Sequence, residues 1–152
     1  MQTAAPIPPP ASWHDDLRLG YAPMDHIHEE FVVLVDALLA APDEQVVAAL
    51  AAVHVHSQEH FASEDQWMQE TDFPARDCHA DEHAAVLQSM EGVTLRVAGG
   101  DFEAGRHLAR ALADWFPGHA DYLDSALAHW MCKKRLGGKP VVLRRSIATR
   151  AA

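Results

Sequence analysis

Seven residues of this chain combine donor type and spacing in a way that points to metal chemistry: His28, His60, Glu64, His79, His83, His119 and Asp124. His60 and Glu64 are four apart, as are His79 and His83, so on a helix each pair projects from one face. His119 and Asp124 are five apart, which in a regular α-helix sets them about 140° from each other. An ion lying between the two side chains would reconcile them, and so would a one-residue bulge, common at functional sites. The spacing leaves both open. Five imidazoles and two carboxylates exceed the four ligands of a single zinc. They suit two ions bridged by the carboxylates, and imidazole with carboxylate, with no thiolate taking part, suits iron among other first-row metals. With a water-derived bridge, seven protein ligands leave two six-coordinate ions one ligand short, a position open to a small diatomic.

Four helical segments must bring these residues together. The first is expected over about Pro23–Ala41, with Pro23 in its first turn and Pro42 beyond its end. Met24, His28, Phe31, Val35 and Leu38 form its inner stripe. The second runs from about Asp43, read as its N-cap, to Glu70, with Val46, Leu50, Val53, Ser57, His60, Glu64 and Trp67 inward. The third follows Thr71-Asp72-Phe73-Pro74 and stops at Gly99-Gly100, with His79, His83, Val86, Met90, Val93 and Val97 inward. The fourth opens at Asp101 and reaches about Cys132, with Leu108, Leu112, Trp115, His119, Tyr122 and Ala126 inward. Pro117-Gly118 interrupts it, where a kink is expected immediately before His119. Short connections imply an all-α, antiparallel up-down-up-down four-helix bundle. In that topology the start of the first helix, the end of the second, the start of the third and the late part of the fourth share one end. The seven residues therefore fall in one layer.

Composition narrows the remaining choices. Apolar residues make up 49% of 152 positions, enough for a core. All 22 acidic residues lie at or before Asp124, against five basic ones before Lys133, so the body is a poor nucleic-acid surface. Residues 133–152 hold seven basic residues and no acid, a basic tail whose partner the sequence does not name. Residues 1–12 form a Pro-rich flexible arm without a signal-peptide pattern, and residues 13–132 form the bundle, with Trp13 and Leu17 packing against it. No run is long enough for a membrane span, and Cys78 and Cys132 form no disulfide framework. A cytoplasmic protein is expected. Histidine is abundant, 11 in all, but His14, His54, His107 and His129 read as ordinary hydrogen-bonding residues and His26 as surface. His56, one turn before His60, reads as a neighbour of the ligands or of an access path. Glu-x-x-His pairs of the ferritin type, a His-Glu-x-x-His motif and Gly-rich phosphate loops are all missing.

The stretches Met24-Asp25-His26-Ile27-His28, His60-Phe61-Ala62-Ser63-Glu64, His79-Ala80-Asp81-Glu82-His83 and His119-Ala120-Asp121-Tyr122-Leu123-Asp124 resemble, in order, the motifs of the hemerythrin family in its single-domain bacterial form. The resemblance covers about Trp13 to Met131. It implies a non-haem di-iron centre with oxo or hydroxo bridging that binds O2 reversibly, for storage, delivery or buffering, as a binding protein and not an enzyme. It further implies that His79, His83 and His119 hold one iron, that His28 and His60 hold the five-coordinate other, and that Glu64 and Asp124 bridge them. In the family, O2 is held as hydroperoxide on the open iron. Phe31, Val32 and Trp115, one helical turn from His28 or His119, are candidate walls of the O2 pocket, and each also serves ordinary core packing. The same ligands would serve two alternatives: an enzyme processing peroxide or nitric oxide, or a sensor of O2 or redox state.

Overall fold

Proline and glycine set most of the helix ends. The structure is a computed structural model and describes residues 14–140 and 142. Helix α1 spans Ala22–Leu39, with Pro23 in its first turn. Helix α2 spans Asp43–Glu70, and α3 spans Arg76–Ala98. Asp43 is the first residue of α2 and not its N-cap. Pro42 holds the cap position in extended backbone without a side-chain bond. The Asp43 and Glu44 charges still favour the positive end of the helix, and Asp43 pairs with Arg106, which also donates to the Ala41 carbonyl (2.9 Å). Gly100 turns the chain with φ +98°, and Asp101 then caps the next helix by accepting from the Ala104 amide (3.2 Å).

Helix α4 spans Phe102–His119 and runs on without a break into a π-helical turn, Ala120–Asp124. Helix α5, Ser125–Met131, and a second π-helical turn, Cys132–Leu136, complete the run. Pro117 lies inside α4, yet His119 remains on the buried face. The π turn absorbs one extra residue, so the inner face passes from His119 and Ala120 to Asp124, Leu127 and Met131. Tyr122 and Ala126, expected inward, are exposed for that reason. Earlier in α4 the inner face steps from Leu112 to Phe116, leaving Trp115 half-buried. Trp67 and Val86 are likewise half-buried, and Met68 takes the inner place on α2.

Helices α1 to α4 pack as a ring, α1 against α2, α2 against α3, α3 against α4 and α4 against α1. This is the expected four-helix bundle. Its interior has two apolar parts. One contains Phe31, Val35, Leu38, Leu50, Met90, Leu112 and Phe116. The other contains Tyr21, Met24, Met68, Phe73, Leu127 and Met131. Each fully buried large side chain contributes about 1.5–3 kcal/mol. Between them lie the polar residues. His28 falls between Met24 and Phe31, Glu64 precedes Met68, and Asp124 precedes Leu127, so the polar layer is sealed at both ends. Leu17, in a single 3-10 turn at Asp15–Leu17, packs on the first part, as expected. Residues 1–12, Trp13 and the tail beyond 142 lie outside the described residues. Among the described residues no helix is long and apolar enough to cross a membrane.

Two glycines test this packing in opposite directions. A Cβ on Gly105 would meet Val46 Cγ1 at 2.8 Å and Val97 Cγ2 at 3.3 Å, whereas one on Gly92 would meet nothing within 4 Å. Gly105→Val is expected to lose about 1–3 kcal/mol through overpacking. Gly92→Ala, in the exposed middle of α3, is expected to gain up to about 1 kcal/mol. Urea denaturation of both variants checks the pair.

Candidate metal centre

The bundle brings all seven sequence-predicted donors into one buried layer. His28, Glu64, His79 and Asp124 are 0% exposed, and His60, His83 and His119 no more than 3%. The two carboxylates divide their oxygens between the two sides of the layer. Glu64 Oε1 lies 3.2 Å from both His28 Nε2 and His60 Nε2, while Oε2 lies 3.1 Å from His83 Nε2 and 3.6 Å from His79 Nε2. Asp124 Oδ2 lies 3.1 Å from His28 Nε2, while Oδ1 lies 2.9 Å from His79 Nε2 and 3.1 Å from His119 Nε2. Two sets of donors therefore converge, each within 4.8 Å: Glu64, His79, His83, His119 and Asp124 in one, and His28, His60 and Glu64 in the other. The π turn makes Asp124 part of this layer. Of the two arrangements that the five-residue spacing allowed, the helix uses the bulge.

Several of these close atoms make no hydrogen bond. Glu64 Oε2, His79 Nε2 and both Asp124 oxygens are buried without a hydrogen-bond partner. Leaving buried polar groups unbonded costs about 1–3 kcal/mol each, more for charged ones. No lysine or arginine is paired with either carboxylate in the described ion pairs. A cation between the donors satisfies all of these atoms at once, so the donor set fits a metal centre.

Protons partly replace that cation in the metal-free chain. Burial disfavours the charged form of His28, but the close carboxylates of Asp124 (3.1 Å) and Glu64 (3.2 Å) override it and push the ring up to about 10. The same balance takes His79 up to about 9. Burial pulls His60 down despite Glu64. Burial alone would raise Glu64 and Asp124, yet the facing histidines hold both below the usual carboxylate range. The sign of the pH dependence follows. His28 and His79 are raised above the ordinary 6.5, so their contribution to metal-free stability is complete below that value and is lost as pH rises through about 9 to 10. Glu64 and Asp124 are depressed, so theirs is present above about pH 4 and is lost on acidification. A metal requires neutral imidazole and displaces those protons. The gap in melting temperature between loaded and metal-free protein is therefore expected to widen from about pH 6 to about pH 9. A gap that narrows over that range contradicts this account.

A further ring of residues surrounds the donors. His83 Nδ1 donates to Asp65 Oδ1 (2.8 Å), and His119 Nδ1 donates to Glu82 Oε1 (2.9 Å). Trp115 Nε1 donates to the same Glu82 oxygen (2.9 Å), and its ring lies 4.4 Å from that of His119. Phe61 stacks on His83 at 4.2 Å. Asp65, Glu82, Phe61 and Phe116 are not marked out by residue type and spacing in the sequence. The only signal was adjacency: Asp65 follows Glu64, and Glu82 precedes His83. Of the candidate pocket walls, Phe31 and Val32 are buried and Trp115 is half-buried. The Phe116 ring lies 5.0 Å from that of His28, and Phe31 lies 5.7 Å from His60. A cavity of about 30 Å³ sits against Phe31, Val32 and Phe116. His56 packs on His60 and on Phe31 and pairs with Glu30, and His26 is exposed.

Comparison with known proteins agrees with this chemistry. Residues 19–130 match the family model described as the hemerythrin HHE cation binding domain. A bacteriohemerythrin of Ralstonia nicotianae is 37% identical over 126 residues, covering 83% of this chain and 92% of that protein. A bacteriohemerythrin of Stenotrophomonas maltophilia is 26% identical over 120 residues, covering 76% and 78%. No solved structure matches.

Proposed function

Since the chain belongs to the hemerythrin family, we propose that it binds O2 reversibly at a pair of non-haem iron ions held in the buried layer. The observation that carries this reading is the division of each carboxylate, one oxygen toward each set of histidines. In this assignment His79, His83 and His119 would hold one iron, His28 and His60 the other, and Glu64 and Asp124 would be shared between them. A ferrous pair held there would supply the two electrons needed to retain O2, recoverable on its release.

The chain's own residues govern reversibility. On the two-histidine side the rings of His28 and His60 meet Phe31 and Phe116. Phe31 and Phe116, with Val32, form apolar walls that would keep water from the inner side of these rings, while His56 packs on the outer side of His60. The carboxylates that bond to ligand rings, Asp65 and Glu82, belong instead to His83 and His119. A diatomic held on the inner side of these rings would meet the carbon surface of Phe31 and Phe116, which would favour release over onward chemistry. An enzyme turning over peroxide would need a route for protons and electrons to that face.

The test is repeated cycling of reduced, iron-loaded protein between O2 and argon while visible absorption is followed. We expect an oxygen-dependent band that appears and disappears over many cycles. Permanent bleaching after one exposure, or sustained consumption of added peroxide, would favour an enzyme.

A further inference from the structure

The five histidines are not held alike. Carboxylates only accept hydrogen bonds, so the contacts of Asp65 and Glu82 fix a proton on Nδ1 of His83 and of His119. Each ring then turns its Nε2 into the donor layer, where the two Nε2 atoms lie 3.3 Å apart. Nδ1 of His28, His60 and His79 is buried without a partner. Both supported rings belong to the three-histidine set.

We propose that Asp65 and Glu82 are positioning residues that orient His83 and His119 and strengthen them as donors, making the three-histidine ion the more tightly held of the two. This rests on the assignment of ligands proposed above. The chemistry is local. A carboxylate on Nδ1–H draws the proton toward itself and leaves more electron density at Nε2, so the ring becomes a better ligand. Asp65 is well placed because it follows Glu64 on α2 and faces α3. Glu82 precedes His83 on α3 and faces α4. Each donor helix therefore braces a ring on its neighbour. Trp115 holds Glu82 in place through the shared oxygen and covers the His119 ring. Both carboxylates are themselves partly exposed (side chains 42% and 38%). They keep hydration and act without the cost of full burial.

The test uses two readouts. In zinc-loaded protein, the ring Nδ1–H protons of His83 and His119 should resonate downfield of those of His28, His60 and His79. Glu82→Leu should move the His119 signal upfield, and Glu82→Gln, whose amide oxygen still accepts, should move it only part of the way. In iron-loaded protein challenged anaerobically with a chelator, Asp65→Asn and Glu82→Gln should each weaken retention of one ion about 10–100-fold. The wild type should surrender the two-histidine ion first. Asp81→Asn, an exposed neighbour, should match the wild type. Ring signals unmoved in Glu82→Leu, or chelator resistance unchanged in both variants while only melting temperature falls, would overturn the proposal. A wild type that takes up no metal pair would instead overturn the functional reading.

Discussion

Glu64→Ala protein is expected to fold but to lose its pair of metal ions. Glu64 is the one residue common to both donor sets. Its removal takes an oxygen from each side and leaves His28 and His60 with no carboxylate other than Asp124. Residues that merely hydrogen-bond to ligands contribute about 10–100-fold to metal affinity, so loss of a shared ligand should exceed about 100-fold. Asp124→Ala should do the same, because its two oxygens are divided in the same way. His26→Ala, on the exposed side of α1, is the control. Iron per chain after anaerobic loading and desalting is the measurement. Near-normal iron in Glu64→Ala would remove the bridging role.

The second large effect is on stability. The layer places two carboxylates and five imidazoles between two apolar parts of the core, where unbonded polar groups are costly. Metal that binds only the folded chain adds its binding energy to folding, about 4 kcal/mol at a thousand times Kd. For a chain of this size that corresponds to about 8–16 °C in melting temperature. The protons taken up by His28 and His79 offset part of the loss, so the metal-free chain is expected to remain helical. Scanning calorimetry before and after chelation checks this, and coincident melting curves would sever the link between metal and fold.

Much of this architecture is legible in the sequence because polar residues interrupt apolar stripes at helical spacing. His60 and Glu64 on α2, and His79 and His83 on α3, announce both their helices and their shared face. The His119–Asp124 spacing announces an irregularity without saying which one. The π turn resolves it, and the same extra residue explains why Tyr122 faces outward. Trp115 and Phe116 are adjacent aromatics on one helix, and only the angle at which α4 meets α1 and α3 decides which is buried. Asp65 and Glu82 are harder still. Each serves a histidine on a different helix, so their role depends on packing between helices that no local pattern records. The Asp43 cap fails for a simpler reason: Pro42 already occupies the cap position, and Asp43 falls one residue inside.

Anomalous diffraction at the iron edge, on crystals of anaerobically loaded protein, reaches the central claim most directly. Two peaks per chain are predicted inside the bundle, about 3.5–4 Å apart as in two-metal sites. One should lie beside His28 and His60 and the other beside His79, His83 and His119, with Glu64 and Asp124 between them. A single peak, or iron bound anywhere outside this layer, would contradict the account.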